Sequence, residues 1–287
     1  ANKITRQLRL LGPQAFPVDI DFIARNCHGN FQWKDPITDI YGDDWDSFEG
    51  MLERNEDGQG WRILYNKKSP AERQLFTKAH ELGHYIIHRK DQTIRCSKLQ
   101  VWERDSGEVN IEAQANQFAS ALLMPADDVR QQIDGAEITL EFLGQLRLRY
   151  GVSLEAMTIK FVEVTDRRAV FIYWDNGYMR YCVPSTKARM SKARYLNNRQ
   201  MIEPPTGTVA SDPSVAHERE GVDVEASLWF KTEPSGTKLR EMKTTSEKLE
   251  RVLTLLILPS ATAPWERDEN EEDAESLGDY MLSGRIA

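Results

Sequence analysis

The spacing of apolar residues changes character near residue 166. Before that point apolar residues mostly recur every three or four positions, as in amphipathic helices, and after it apolar and polar residues alternate, as in strands. The pattern predicts helices over residues 3–11, 17–29, 70–88, 110–125, 126–133, 140–149 and 154–164. It predicts strands over residues 48–52, 61–65, 169–174, 178–183, 224–231, 237–244 and 252–259. The expected fold class is α+β: a mainly helical first domain with a small β-sheet, followed by a β-rich second domain.

Three segments follow from this change of pattern. We expect a helical domain over residues 1–166, a β-rich accessory or regulatory domain over residues 167–260, and a disordered tail over residues 261–287. Residues 266–279 carry eight acidic side chains and one arginine, so the tail cannot bury an apolar core. Residues 31–47 are polar and irregular in pattern, and we expect a surface loop there.

The helices predicted within residues 138–164 are joined by Gly-Val-Ser, a connection typical of a helix-turn-helix. A DNA-recognition helix normally presents a basic face. In this segment three basic side chains are balanced by three acidic ones, and the whole chain carries a net charge of −8. We therefore expect the segment to pack within the protein, with no direct binding to DNA.

The motif H-E-x-x-H lies within the helix predicted over residues 70–88, as His80, Glu81 and His84. Histidines four residues apart share a helical face, so both imidazoles can bind one cation. Zinc suits two neutral imidazoles and a carboxylate, with a fourth position left for water. Glu81 can then take a proton from that water. The competing interpretation is a buried helix with two structural histidines, and a third ligand would separate the two.

The third ligand is predicted on the helix that follows. Metzincins carry a glycine and a histidine three and six residues after the second histidine, but Ile87 and Lys90 occupy those positions here. Glu112 begins a helix whose apolar face is rich in small residues, which allow a close approach to another helix. Glu103 and Glu108 are rival ligands, although both precede the predicted start of that helix. Glu112 is the preferred third ligand.

These motifs resemble those of the ImmA/IrrE family of metallopeptidases. The resemblance covers about residues 10–165 and rests on H-E-L-G-H at residues 80–84, E-x-x-A-N-x-F-A at residues 112–119 and L-L-M-P at residues 122–125. It implies a gluzincin-like peptidase with one zinc ion per chain, held by two histidines and one glutamate. It also implies a protein substrate, most often a helix-turn-helix repressor whose cleavage controls mobile-element, stress or defence genes.

Several further residues are candidates for supporting roles. Asn116 lies one helical turn after Glu112 and can accept a hydrogen bond from a ligand histidine, which would fix the tautomer of that histidine. His88 continues the four-residue spacing and is interpreted as a histidine at the rim of the site or in a structural role. Tyr85, His88 and Tyr150 are the candidates for stabilising the oxyanion formed during peptide cleavage.

Composition narrows the class of protein further. No apolar run approaches the length of a membrane span, and the N-terminal residues lack the apolar core of a signal peptide. The three cysteines are widely spaced and form no C-x-x-C pair, so no disulfide framework or cysteine zinc site is indicated. We expect a cytoplasmic protein with no membrane partner. Its oligomeric state does not follow from the sequence.

Two other functions compete with the peptidase hypothesis. One is a DNA-binding transcription regulator whose metal site is structural, although a structural zinc site is usually closed by four protein ligands. The other is a protease toxin of a two-gene module, which would cut a target other than a repressor. The identity of the cleaved protein would separate this possibility from repressor cleavage.

Overall fold

The structure, a computed structural model, describes residues 16–46, 48–89, 111–193, 201–246 and 251–260. These residues form two compact units. The first contains the described residues before Ala126 together with Arg147–Ser153, and the second contains Ala126–Leu146 and the described residues from Leu154 onwards. The protein combines helices with two separate sheets and is an α+β protein. None of the helices described is long and apolar enough to cross a membrane.

The first unit contains a three-stranded sheet in the order β1-β3-β2. Its strands are β1 (Ile37–Asp43), β2 (Gly50–Arg54) and β3 (Trp61–Asn66). β1 runs parallel and β2 antiparallel to β3. Helix α1 (Ile20–Phe31) packs against β1, and the long helix α2 (Ala71–His88) packs against β2 and β3. Among the described residues β2 is therefore an edge strand, and it lies beside α2.

Helix α3 (Ile111–Leu123) packs closely against α2 at Gly83. A Cβ atom at Gly83 would lie 3.1 Å from Phe118 Cδ1 and 3.2 Å from both the Cα and the carbonyl oxygen of Ala115. Glycine lowers the helix propensity of α2, but its missing side chain lets the two backbones approach. The close approach brings the first turn of α3 next to the motif histidines.

The second unit begins with helices. It contains α4 (Ala126–Ile133), most of α5 (Leu140–Tyr150) and α6 (Leu154–Val164). Helix α6 packs against α4 and against the first two strands of the second sheet, and its residues from Met157 to Val162 are buried. The unit starts at Ala126, before the change of sequence pattern, because α6 packs against the sheet that follows it and α4 packs against α6.

The second sheet has five antiparallel strands in the order β5-β4-β8-β7-β6. The strands are β4 (Arg168–Asp175), β5 (Tyr178–Pro184), β6 (His217–Glu225), β7 (Lys238–Ser246) and β8 (Arg251–Leu258). Short helices α7 (Thr186–Met190) and α8 (Ala226–Trp229) follow β5 and β6. One face of β4, with Val170, Ile172 and Trp174, shares a core cluster with Trp229 and Phe230. Because α6 packs against β4 as well, nearly every residue of β4 is buried.

The surface loop predicted over residues 31–47 is wrong where β1 forms. β1 exposes most of its side chains, and only Ile37 is fully buried. A strand at the edge of a sheet that faces water keeps polar residues such as Asp39 and Asp43, so the alternation that marks a strand is weak. The parallel pairing of β1 with β3 is a contact distant in sequence and cannot be inferred from local pattern.

The strand predicted over residues 224–231 is also wrong. β6 ends at Glu225, and α8 occupies the following residues. Ala226, Trp229 and Phe230 are buried together and are spaced three and four residues apart, as on one face of a helix. The helix predicted over residues 3–11 and the disorder predicted over residues 261–287 lie outside the described residues.

Candidate metal centre

Helix α2 presents the H-E-x-x-H motif on a buried face. Pro70 takes the cap position of the helix with no side-chain hydrogen bond, and the Ser69 hydroxyl donates to Glu49 Oε2 at 2.9 Å. Its apolar stripe packs the helix against the small sheet, so that His80 and His84, one turn apart, point in a common direction.

The side chains of His80, His84 and Glu112 converge. His80 Nε2 lies 3.0 Å from His84 Nε2 and 3.2 Å from Glu112 Oε2, and His84 Nε2 lies 3.4 Å from Glu112 Oε1. A tetrahedral zinc site with bonds of about 2.0–2.1 Å separates its ligand atoms by about 3.3–3.4 Å. Two imidazole nitrogens and a carboxylate at this spacing fit a zinc ion with one position left open.

Electrostatics at the cluster favour an ionised Glu112. Burial alone would raise the pKa of Glu112, but hydrogen bonds from His80 and His84 hold it well below its ordinary value. Burial lowers the pKa of His84, against the effect of its hydrogen bond to Glu112. Burial also opposes the charged form of His80, but hydrogen bonding to Glu112 and the nearby carboxylates raise its pKa overall. The carboxylate therefore supplies a negative charge next to two ring nitrogens.

Glu81 is buried beside this cluster, with 1% of its surface exposed. Burial raises its pKa to about 7, opposed by the charge of His80 and by a hydrogen bond from the Leu52 backbone N–H. Its Oε2 atom has no hydrogen-bond partner among the described residues. A carboxylate held at one oxygen, with a pKa near neutrality, is suited to accept a proton and return it.

Asn116 and Gln114, both on α3, lie within hydrogen-bonding distance of His80 and His88. His80 Nδ1 lies 2.8 Å from Asn116 Oδ1. His84 Nδ1 lies 3.1 Å from His88 Nδ1, and His88 Nε2 lies 3.0 Å from Gln114 Oε1. In both histidines of the cluster the Nδ1 atom is thus occupied, and the Nε2 atom faces Glu112.

The other candidates, Tyr85, Tyr150 and His88, are all buried. Tyr85 is fully buried, and its hydroxyl donates to the backbone oxygen of Asp35 at 2.9 Å. Tyr150 is fully buried with its ring edge against Phe16, at 5.1 Å between ring centroids. His88 is 4% exposed and lies behind His84. Both tyrosines are held in packing contacts, and a role for either of them in stabilising an oxyanion stays a prediction.

Gly50, on β2, allows the strand to lie against α2 next to Glu81. A Cβ atom at Gly50 would lie 2.2 Å from Thr77 Cγ2, 3.1 Å from Glu81 Oε1 and 3.2 Å from the Leu64 carbonyl oxygen. Glycine is therefore needed where the edge strand passes the catalytic candidate. The roles of Gly50, Leu52 and Gln114 do not show in the sequence, because each residue acts through a contact distant in sequence and belongs to no local motif.

We expect Gly50→Ala to destabilise the fold by about 1–3 kcal/mol, as overpacking of a close contact does, and to reduce activity by displacing β2 from Glu81. Thr77→Ser removes the contacting methyl group and should recover part of both losses in the double variant. The free energy of unfolding and kcat/KM of the four proteins form a double-mutant cycle. Strictly additive losses would contradict the contact.

We expect Gly83→Ala to destabilise the protein by about 1–2 kcal/mol, although alanine is the better helix former, because its methyl group meets the Ala115 backbone. The matched control is Gly144→Ala in α5, where no atom lies within 4 Å of the added Cβ. That change should stabilise by about 0.5–1 kcal/mol. Thermal unfolding of both variants tests the difference, and the same sign at both positions would contradict the helix contact.

Comparison with known proteins agrees with this geometry. Residues 44–161 match the family model of the IrrE N-terminal-like domain, peptidase family M78. The radiation response metalloprotease IrrE of Deinococcus radiodurans is 31% identical over 122 residues, which cover 39% of this chain and 37% of that protein. The match thus spans just over a third of the length of this relative.

A solved structure of a Mycobacterium tuberculosis transcriptional regulator is similar in fold, with a TM-score of 0.53 and 16% identity over 88% of this chain and 74% of that one. This likeness concerns the fold alone. The matched domain contains all three residues of the cluster together with Glu81. The resemblance inferred from the motifs is confirmed: residues 44–161 are similar to the metallopeptidases of the ImmA/IrrE family.

Proposed function

We propose that the protein is a zinc-dependent endopeptidase that binds one zinc ion per chain. The observation that carries this proposal is the convergence of His80, His84 and Glu112 beside Glu81, within a domain of a metallopeptidase family. A structural site would have no use for a buried carboxylate with an unpartnered oxygen at this place.

His80, His84 and Glu112 would hold the metal. When bound, zinc would lower the pKa of a water molecule and polarise the carbonyl of the scissile peptide bond. Glu81 takes a proton from the attacking water and delivers it to the leaving amine nitrogen. The Leu52 N–H holds the Glu81 carboxylate in place during both transfers.

The proposed docking site for the substrate backbone is the edge of β2 opposite β3, which pairs with no other strand among the described residues. Asn66 N bonds to Glu49 O and Asn55 N bonds to Gly60 O, so the odd-numbered residues of β2 face β3 and the even-numbered ones face the other edge. The Leu52 N–H reaches Glu81 from that second edge. An extended peptide added there would form backbone hydrogen bonds alongside the cluster.

The proposed substrate is a helix-turn-helix repressor, whose cleavage would switch on mobile-element, stress or defence genes. The family resemblance supports this choice, as does the radiation response named for the Deinococcus relative. Helix α6, the second helix of the helix-turn-helix-like segment, has a buried middle, and its buried Lys160 bonds Glu163 at 3.0 Å. A helix so buried is poorly suited to reading DNA, which supports the expectation of no direct DNA binding.

The test compares free protein N-termini in cells producing the wild-type protein or Glu81→Gln. The proposal predicts a new N-terminus in one helix-turn-helix repressor, absent with the variant. Glu81-dependent termini in a protein of another class would favour the toxin alternative. Identical termini in both strains, under conditions that induce the protein, would contradict peptidase function. A DNA-binding regulator would instead show salt-dependent binding to DNA.

The second unit is proposed to govern substrate choice or activation, since the described residues that form the cluster all lie in the first unit. We expect deletion of residues 261–287 to leave zinc content and thermal stability unchanged while altering the rate of cleavage or its dependence on salt. Basic residues near 189–199 can attract this acidic segment, and salt would screen that attraction. Identical cleavage at low and high salt would mean that the tail has no role.

A further inference from the structure

His88 and Gln114 form a chain of hydrogen bonds that ends at His84. His88 Nδ1 lies 3.1 Å from His84 Nδ1, and His88 Nε2 lies 3.0 Å from Gln114 Oε1. His88 is 4% exposed, so its ring nitrogens depend on these protein partners. The four-residue spacing shows in the sequence that His88 follows His84 along α2, but only the structure shows that Gln114 of α3 completes the chain.

In this chain of hydrogen bonds, the positions of the hydrogens depend on the acceptor at Gln114. The amide oxygen of Gln114 can only accept, so His88 Nε2 carries a hydrogen and donates it. A neutral imidazole has a single N–H group, so His88 Nδ1 is a lone pair and must accept the Nδ1–H of His84. This arrangement favours the tautomer with a lone pair at His84 Nε2, against the effect of Glu112, whose carboxylate lies 3.4 Å from that nitrogen and favours a hydrogen there. Gln114 therefore acts on the tautomer of a ring that it does not touch.

The orientation of the His80 ring is fixed in a similar way, through one hydrogen bond instead of two. Its Nδ1–H donates directly to Asn116 Oδ1 at 2.8 Å, so that the neutral ring would present a lone pair at Nε2 to a metal ion. Helix α3 thus contributes Glu112 as a candidate ligand, an amide that acts directly on His80, and an amide that acts on His84 through His88. The two histidines are oriented by one helix through two routes of different length.

We propose that His88 is a positioning residue, which relays the orientation imposed by Gln114 to His84 and so holds the Nε2 lone pair ready for metal. The inference rests on the proposed metal site and names the groups that tune it. The role requires a hydrogen-bond acceptor at the position of His88 Nδ1. No other property of the imidazole ring is needed. An asparagine side chain can supply that acceptor from nearly the same place, whereas a leucine cannot.

The test compares His88→Asn and His88→Leu in the full-length chain by competition for zinc with a chromophoric chelator. Loss of a supporting partner weakens metal binding about 10- to 100-fold, and we expect a loss of this size in His88→Leu and a change within about threefold in His88→Asn. A role in packing alone predicts the reverse order, because leucine fills an apolar space better than asparagine. Tight zinc binding by His88→Leu would overturn the proposal.

A second measurement needs neither metal nor activity. The ring ¹⁵N shifts of His84 in metal-free protein report which nitrogen carries the proton. We expect a larger share of the Nδ1–H tautomer in the wild type and in His88→Asn than in His88→Leu and Gln114→Leu, where Glu112 alone directs the hydrogen to Nε2. An unchanged share in His88→Leu would contradict the relay. If the shares differ in this way but the wild type binds no zinc, the proposed function fails while the relay stands.

Discussion

Glu81→Gln should reduce peptide-bond cleavage by about a hundred- to ten-thousandfold, the range that general acid–base catalysis contributes. Glutamine has nearly the same shape and its amide oxygen can still accept the Leu52 N–H, but it cannot take a proton from water at neutral pH. Zinc content and thermal stability should stay at the wild-type level, because Glu81 is not among the ligand candidates. The measurement is kcat/KM on the target identified from new N-termini.

A matched control for Glu81→Gln is Gln117→Glu, which also exchanges an amide and a carboxyl group but on the exposed face of α3. We expect it to retain far more activity than Glu81→Gln. Activity of Glu81→Gln near the wild-type level would remove the proposed role of Glu81, even if the protein bound zinc.

Glu112→Ala should lose most of the zinc bound by the wild type, which we expect to hold about one equivalent. The substitution removes the only carboxylate of the cluster and leaves two neutral imidazoles, which bind zinc more weakly than three ligands do. Metal analysis after dialysis against a weak chelator measures the loss. Gln117→Ala is the control, since Gln117 lies on the exposed face of the same helix.

Full retention of zinc in Glu112→Ala would show that another residue is the third ligand. Glu103 and Glu108 were the rivals in the sequence, and both lie outside the described residues. Alanine variants of Glu103 and Glu108 would then identify the ligand. The convergence of Glu112 with both histidines at 3.2 and 3.4 Å predicts that neither change will release zinc.

The cluster was predictable because its residues obey helical spacing. His80 and His84 lie one turn apart on α2, and Glu112 lies in the first turn of a helix rich in small residues. The only contact between distant parts of the sequence that had to be guessed was the close approach of the two helices. Gly83 allows that approach, and a glycine inside a helical pattern is a visible sign of it.

Backbone contacts near the site could not be predicted in the same way. Leu52 contributes a backbone N–H, which any residue except proline would also offer, so its identity carries no signal. Gly50 is one glycine of seventeen in the chain, and only the packing of β2 on α2 shows that a side chain there would clash. The role of His88 likewise depends on Gln114, whose place in the helical pattern suggests an ordinary helical residue.

The second unit also contains contacts that the local sequence pattern does not predict. The hairpin of β4 and β5 was predicted from alternation around Asn176-Gly177, a typical hairpin turn. The grouping of α4 and α6 with the sheet was not predicted, since an apolar helical face does not show which helix or sheet it will pack against. Helix α8 was mistaken for strand because its apolar residues are too few to show a period.

Anomalous diffraction at the zinc absorption edge, on crystals of the full-length wild-type protein grown with stoichiometric zinc, tests the central claim most directly. The account predicts one strong peak within bonding distance of His80 Nε2, His84 Nε2 and a Glu112 carboxylate oxygen, with Glu81 close by but not bound to the metal. A peak elsewhere, or a metal at this cluster closed by a fourth protein side chain, would contradict a catalytic zinc site.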